Sequence, residues 1–308
     1  MSSPAKLAEP RYMGGQAVLE GVMMRGASTW AIAVRKPDGE IAVDVREVPG
    51  WSDKYTLPIV RGVMSLTESL GLGYRALTWS ANQQFPEEEQ ISEKAIGWAV
   101  LPVALVFSVI FIAIPALAGH GFSHWFHGSF PIIEGVVRLV LFVAYLAAVG
   151  CLKDIKRVFQ YHGAEHKAIA AYENDVELTP EAAQQFSTAH VRCGTNFLLT
   201  VMVVAVLVYS VIPRPNLWFV VASRVLLMPL IAGLSYEVIR LAAKNMHRRW
   251  VRVLVRPGLW LQKLTTREPD LDQLEVAIAS LRAVFTATQT AEVETRVGRL
   301  VPAIAPAV

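Results

Sequence analysis

The chain of 308 residues is poor in cysteine: it has two, Cys151 and Cys193. Two thiols exclude a disulfide framework and suit a reducing, cytoplasm-facing environment for the soluble parts. Charge is also scarce. Asp, Glu, Lys and Arg make up 18% of the residues, against ~25% in an average soluble domain. With 29 basic and 26 acidic residues the net charge is only +3, which gives no argument for a nucleic-acid partner. Residues 1–10 lack a charged segment followed by an apolar run, so no cleavable signal peptide is expected. No internal repeat of fixed period is visible.

Apolar residues are abundant. They make up 53% of the chain, the mean hydropathy is +0.38, and the excess is gathered into runs. Four runs approach the roughly 20 residues that a helix needs to cross about 30 Å of hydrocarbon: 95–118, 132–152, 196–212 and 217–239. Pro102, Pro115 and Pro229 lie within them and are tolerable where packing satisfies the freed carbonyls. Lys153, Lys156, Arg157, Lys167 and Arg192 lie between the second and third runs. Arg240, Lys244, Arg248, Arg249, Arg252 and Arg256 follow the fourth. Residues 119–131 hold no Lys or Arg, and the turn after the third run has only Arg214. The positive-inside bias then puts both termini and residues 153–195 in the cytoplasm. Trp125, Trp218 and Phe130 would mark the outer interface, and Trp98 the inner one.

The soluble parts have signals of their own. Residues 30–36 and 40–47 alternate as strands around Pro37-Asp38-Gly39, which predicts a β-hairpin. Before it, residues 14–26 (GGQAVLEGVMMRG) carry four glycines, the mark of a backbone that turns tightly or approaches something closely. Residues 61–80 read as a helix lying on the membrane surface or against a span, and 86–93 as an acidic connector. Pro257-Gly258 is expected to break the chain after a basic amphipathic stretch. Asp270 reads as the N-cap of a helix with Leu271, Leu274, Ile278, Leu281 and Val284 or Phe285 on one face. The expected fold is an α-helical membrane protein with four transmembrane helices plus a mixed α/β cytoplasmic portion containing an N-terminal β-hairpin. That portion is built from 1–94, 153–195 and 240–308.

Residues 161–167 (YHGAEHK) carry the most chemistry. His162 and His166 are one helical turn apart and share a face. Two neutral imidazoles at this spacing can grip one metal ion, and Glu165 between them can act as a base on metal-bound water or as a fourth ligand. The order His-x-x-Glu-His is that of the inverted zinc-protease motif. His190, Cys193 and Glu173 in the same loop supply the missing ligand types. The plainer reading is a polar interfacial helix whose histidines bond backbone or headgroups. Cys193 is also a nucleophile candidate beside Arg192 and His190, or simply a small residue where the third run begins. Glu20 and Arg25 can line an anion-holding backbone turn, or form a surface pair. Arg224 and Glu237 lie near the ends of the fourth run, where snorkelling competes with a functional role. A second histidine group, His120, His124 and His127, has no acidic neighbour and ranks below the first.

These segments resemble the bacterial YqhQ family. The resemblance is carried by residues 14–26 and 161–167, by Ala171-Tyr172-Glu173 and by 190–197 (HVRCGTNF). Residues 229–237 (PLIAGLSYE) and 257–269 (PGLWLQKLTTREP) carry it too. It spans roughly residues 12 to 285. Where the family often has Pro and Ser, this chain has Val191 and Asn196; neither change removes a candidate ligand. The resemblance implies a predicted metal-dependent enzyme of the bacterial membrane, of unknown substrate. Carried onto this sequence it implies His162, Glu165, His166, Glu173, His190 and Cys193 as site residues, with Glu20, Arg25 and Glu237 as further polar candidates.

The resulting expectation is a site at the cytoplasmic membrane surface holding a divalent metal, with zinc favoured. His162 and His166 are ligands, His190 or Cys193 the third, and Glu165 the base that activates a water for hydrolysis. The alternatives are a non-enzymatic membrane scaffold or assembly factor, or a transporter using Glu237 and Arg224. The two apolar runs 95–118 and 196–212 offer almost no polar groups for transport.

Overall fold

A computed structural model describes residues 13–122, 130–213 and 216–285. His124, His127, Trp125 and Arg214 lie outside the described residues. Four strands come first: β1 (Gly14–Val18), β2 (Gly21–Arg25), β3 (Thr29–Arg35) and β4 (Ile41–Glu47). The helices follow as α1 (Val60–Asn82), α2 (Glu93–Ser108), α3 (Ile114–Phe122), α4 (Phe130–Val149), α5 (Lys153–Glu173) and α6 (Pro180–Gln184). Then come α7 (Gly194–Ser210), α8 (Leu217–Leu226), α9 (Met228–Lys244), α10 (Arg249–Thr265) and α11 (Leu271–Ala283). The chain is mostly helical, with an N-terminal antiparallel sheet. It divides into two compact units, one of residues 1–49, 160–188 and 268–308, the other of 50–159 and 189–267.

In the first unit the sheet order is β1-β2-β3-β4, antiparallel throughout. The β3–β4 hairpin forms around residues 37–39 as its turn chemistry predicts, with Gly39 at φ 91°. The glycine-rich segment is a second hairpin rather than a bare turn, with Met23 opposite Ile32 in the register of β2 on β3. Gly21 shows why glycine is needed there: a Cβ would sit 2.2 Å from the Ala33 carbonyl oxygen. Helix α11 packs across β2 and β3. Its Asp270 cap is a full capping box: the Asp270 carboxylate accepts from Gln273 N at 2.8 Å, and Gln273 Oε1 accepts from Asp270 N at 3.1 Å. Leu274, Ile278, Leu281 and Val284 are buried as expected, but Leu271 is 44% exposed. It is the first residue after the cap, at the end of the helix. These side chains, with Val22, Met24, Ala31 and Ala33 from the sheet and Tyr161, Ala164 and Ala168 from α5, form one apolar core.

The second unit is helical. Among the described residues, two helices are long and apolar enough to cross a membrane: residues 95–122, through α2 and α3, and Phe130–Val149. A third qualifies if α8 and α9, bent by 46° at Leu227, count as one span; Pro229 stands at that break. Helix α7 is apolar but only 17 residues long. Leu101, Val103 and Leu105 on α2 and Val140 on α4 are more than half exposed, an apolar surface that water does not favour. Between α2 and α3 the helix loosens into a π turn at Val109–Ala113. The cause is Pro115, which has no N–H for the Phe111 carbonyl. Arg138 supplies the missing donor, its Nε standing 2.9 Å from Phe111 O.

Glycines set the close helix contacts of this unit. Helix α1 packs on α9 where Gly62 and Gly233 meet; a Cβ on Gly62 would stand 3.0 Å from the Gly233 oxygen. Beside that contact Arg61 clasps the Glu237 carboxylate with two nitrogens. Arg224 does not snorkel: it is 1% exposed and pairs with Glu134, also at 1%. Helix α10 runs unbroken through Pro257-Gly258, against expectation. Gly258 lies so near α7 that a Cβ would be 2.0 Å from Asn196 Oδ1, so the dipeptide marks a close helix contact, not a stop.

Candidate functional site

The candidate chemistry begins on α5. From Tyr161 onward this helix turns Tyr161, Ala164, Ala168 and Ile169 into the core of the first unit. The residues between them carry the polar groups. His166 is buried at 1%, Glu165 at 5%, and His162 is half-buried. Their spacing acts as expected: the rings of His162 and His166 are 4.5 Å apart between centroids, at 62° to each other. A nitrogen of each lies within 4.8 Å of the other. Two nitrogens on one tetrahedral zinc, each at about 2.1 Å, stand roughly 3.4 Å apart, so a small side-chain rotation closes the pair on an ion.

One contact fixes what His166 can do. Its Nδ1 lies 2.5 Å from the carbonyl oxygen of Thr188. A carbonyl only accepts, so Nδ1 carries the proton, and in the neutral imidazole the lone pair is then on Nε2. Ligating histidines are held in this way, by a partner that sets the tautomer and the ring orientation. In donor type, the two imidazoles and the adjacent carboxylate fit a borderline divalent ion such as zinc.

Glu165 packs against the backbone of the glycine-rich segment. A Cβ on Gly15 would sit 2.9 Å from its Cδ and Cγ and 2.8 Å from the Met23 oxygen. The close approach expected of the glycine-rich segment is therefore made to a candidate site residue. Glu20 sits in the β1–β2 turn at φ 53°, its carbonyl accepting from Arg35 N at 2.9 Å. Its Oε2 accepts from the Tyr161 hydroxyl at 3.3 Å, which brings Glu20 to the start of the motif. Arg25 lies at the far end of β2, so the strand separates Glu20 from Arg25 by about 16 Å. Glu173 ends α5, seven residues and roughly 10 Å along the helix from His166. The structure thus sets His162 beside His166 and Gly15 against Glu165; Arg25, opposite Gly14 in the β1–β2 register, is next to that second contact, and Glu173 lies further along α5.

His190 and Cys193 belong to the second unit. The His190 backbone is clamped by Gln262, whose Oε1 accepts from His190 N and whose Nε2 donates to His190 O, both at 2.8 Å. Burial holds the His190 imidazole below its usual pKa, favouring its neutral form. Cys193 is the N-cap of α7: its sulfur accepts from Thr195 N at 3.4 Å and lies 3.3 Å from Thr195 Oγ1. Burial pushes its thiol pKa up, and the Thr195 hydrogen bonds offset this only in part. A raised pKa works against the nucleophile reading and leaves capping as the visible role.

Sequence reasoning missed three supports. Thr188 supplies a backbone carbonyl, which no side-chain pattern reveals. Lys167, 2% exposed, donates to Gln184 O at 2.6 Å and pairs with Glu268 at 2.6 Å. Gln262 clamps His190. The available signal was position: Lys167, Gln262 and Glu268 all fall inside the segments that carry the family resemblance.

The model of a protein family of unknown function, DUF1385, matches residues 57–287. The uncharacterized protein YqhQ of Bacillus subtilis (strain 168) is 34% identical over 297 residues, covering 90% of this chain and 93% of the relative. No solved structure matches.

Proposed function

Because the chain belongs to the YqhQ (DUF1385) family, for which no activity is stated, we propose a function from its own geometry: a metal-dependent membrane enzyme, hydrolytic in type. In this reading His162 and His166 hold a divalent ion, with zinc favoured. The observation that carries it is the contact of His166 Nδ1 with Thr188 O, which fixes the ring beside that of His162 and assigns the metal-binding lone pair of the neutral imidazole to Nε2. The chain offers further donors nearby in sequence, since Thr188 is two residues from His190 and five from Cys193.

A bound ion would lower the pKa of a coordinated water. Glu165, buried at 5% and next to His166 on α5, would take that water's proton. Glu20 and the Tyr161 hydroxyl would form a polar edge at the start of the motif.

The membrane setting has two supports: the apolar helices, and the basic residues at 153–167 and 240–256. We read α7 as a fourth span, shorter than the others, with both termini and α5 on the cytoplasmic side of the inner membrane. The second reading is a non-enzymatic scaffold or assembly factor. It draws on the same contact, because an imidazole that only ties α5 to Thr188 needs no metal.

Elemental analysis separates the two. Protein purified in detergent without chelators should carry about one divalent ion per chain. His162→Ala with His166→Ala should lose it, and Glu165→Gln should keep it. If wild type holds no stoichiometric metal and the double histidine variant changes only stability, the enzyme reading fails and the scaffold reading stands.

A further inference from the structure

Away from the histidine helix, the second unit contains a cavity of about 470 Å³. That lies within the range of small-molecule sites, roughly 300–1,000 Å³. All its lining residues come from α7, α9, α10 and the turn between α9 and α10. The nature of the lining follows from the packing. Helices α7 and α9 are antiparallel, with Tyr209 and Ile231 buried in one cluster and Asn196 sharing the cavity with Val238 and Leu241. The first turn of α7 and the last turns of α9 therefore lie at the same end. Polar residues collect there: Asn196, Asn245 as the C-cap of α9, and Arg248 as the N-cap of α10. The rest of the lining is mainly apolar, with Leu199, Val238, Leu241 and Leu254.

Three observations identify the occupant. The first is shape and polarity: an apolar slot with a polar mouth matches an amphiphile. The second is exposure. Val238, Leu241 and Leu254 are 47%, 64% and 69% exposed, so they ask for an apolar cover that the described residues do not give them. The third is charge and hydrogen bonding at the mouth. Arg248 lines the cavity, while Lys244, Arg249 and Arg252 are exposed on the same stretch, and no acidic residue lines the cavity. Asn196, 4% exposed, uses its Nδ2 on Val191 O at 2.7 Å, yet its Oδ1 is buried with no donor. A buried acceptor left without a donor costs about 1–3 kcal/mol, which a ligand hydroxyl removes.

We infer that this cavity is a binding site for one anionic glycerophospholipid, with an acyl chain along Leu199, Val238, Leu241 and Leu254, the phosphate on Arg248, and a headgroup hydroxyl donating to Asn196 Oδ1. Arg248 is suited to the phosphate because its planar guanidinium can contact two oxygens at once. Helix α10 fits the same setting. Arg249, Arg252, Arg256 and Lys263 share one stripe, and Val251, Leu254 and Leu261 lie away from it, the pattern of a helix lying in the membrane interface. The inference needs nothing from the metal reading.

The test uses the full-length protein in detergent, incubated with phosphatidylglycerol or phosphatidylcholine and then examined by native mass spectrometry. Wild type should retain one phosphatidylglycerol per chain and little phosphatidylcholine. Arg248→Ala should weaken retention about tenfold, the loss of one charge-assisted phosphate contact. Arg252→Ala, outside the cavity, should retain lipid as wild type does. Ala242→Phe, which fills the cavity, should abolish retention; if it fails to fold, the Arg248 and Arg252 variants decide alone. Equal retention of the two lipids, or equal effects of Arg248→Ala and Arg252→Ala, would overturn the inference and leave only general adhesion of lipid to a basic surface.

Discussion

Glu134 and Arg224 lie ninety residues apart in sequence and face each other with both side chains 1% exposed. Arg224 Nε stands 3.0 Å from Glu134 Oε1, and its second nitrogen takes Oε2. Arg138, one turn along α4 from Glu134, bonds the same Oε1 at 2.7 Å and also feeds the carbonyl orphaned by Pro115. The Arg224 guanidinium lies 4.1 Å from the centre of the Tyr209 ring. A buried charge is tolerated where its partners are complete, and removing one partner costs about 3–5 kcal/mol. Glu134→Ala and Arg224→Ala should each lower the thermal unfolding midpoint sharply. The paired change Glu134→Leu with Arg224→Met should recover much of the loss. A double variant as unstable as the sum of the singles would mean that the charges act independently.

Arg138 permits a cleaner measurement. Arg138→Leu leaves Arg224 on Glu134 but removes both the donor to Phe111 O and the Arg138–Glu134 bond. The bare carbonyl alone should cost about 1–3 kcal/mol, and the lost bond to Glu134 adds to this. Pro115→Ala restores an N–H at the position that would bond that carbonyl. It should therefore blunt the effect of Arg138→Leu in a double-mutant cycle. Strict additivity would show that Arg138 does not substitute for the missing bond.

These examples show where the sequence was legible. The β3–β4 hairpin could be read because alternation and Pro37-Asp38-Gly39 are local signals. The Asp270 cap could be read because its bonds reach only three residues. Strands β1 and β2 could not: their glycines argue for turns, and only pairing with β3 makes them strands. Pro257 gave a stop signal that tertiary packing of α10 overrides. In the site, a spacing of four placed His162 beside His166 because helical periodicity fixes it. The partner of His166 is a backbone atom twenty-two residues on, and backbone atoms carry no sequence signature.

Gly15 is where the glycine-rich segment touches the candidate base. A methyl group there meets Met23 O and the Glu165 side chain below 3.0 Å. Gly15→Ala should cost about 1–3 kcal/mol through overpacking. Under the proposed assignment, metal content is set by the imidazoles and should remain at the wild-type level in this variant. Gly14→Ala, with nothing within 4 Å, is the control and should leave stability nearly unchanged. Metal loss on Gly15→Ala alone would move Glu165 from base to ligand.

The two partners of Lys167 differ in exposure. Its ammonium is buried against the Gln184 carbonyl, while Glu268 is 64% exposed. Water can take over the exposed carboxylate's share, so Glu268→Gln should cost well under 1 kcal/mol, as surface pairs do. The Gln184 carbonyl has less recourse. Lys167→Met keeps the aliphatic stem and removes its donor, with an expected cost of about 1–3 kcal/mol. Because Lys167 follows His166 directly on α5, the variant also tests whether the helix holds its histidine in place. If Lys167 only anchors α5, metal content persists in Lys167→Met while the unfolding midpoint falls. Loss of metal with an unchanged midpoint would make Lys167 a positioning residue for the histidine pair.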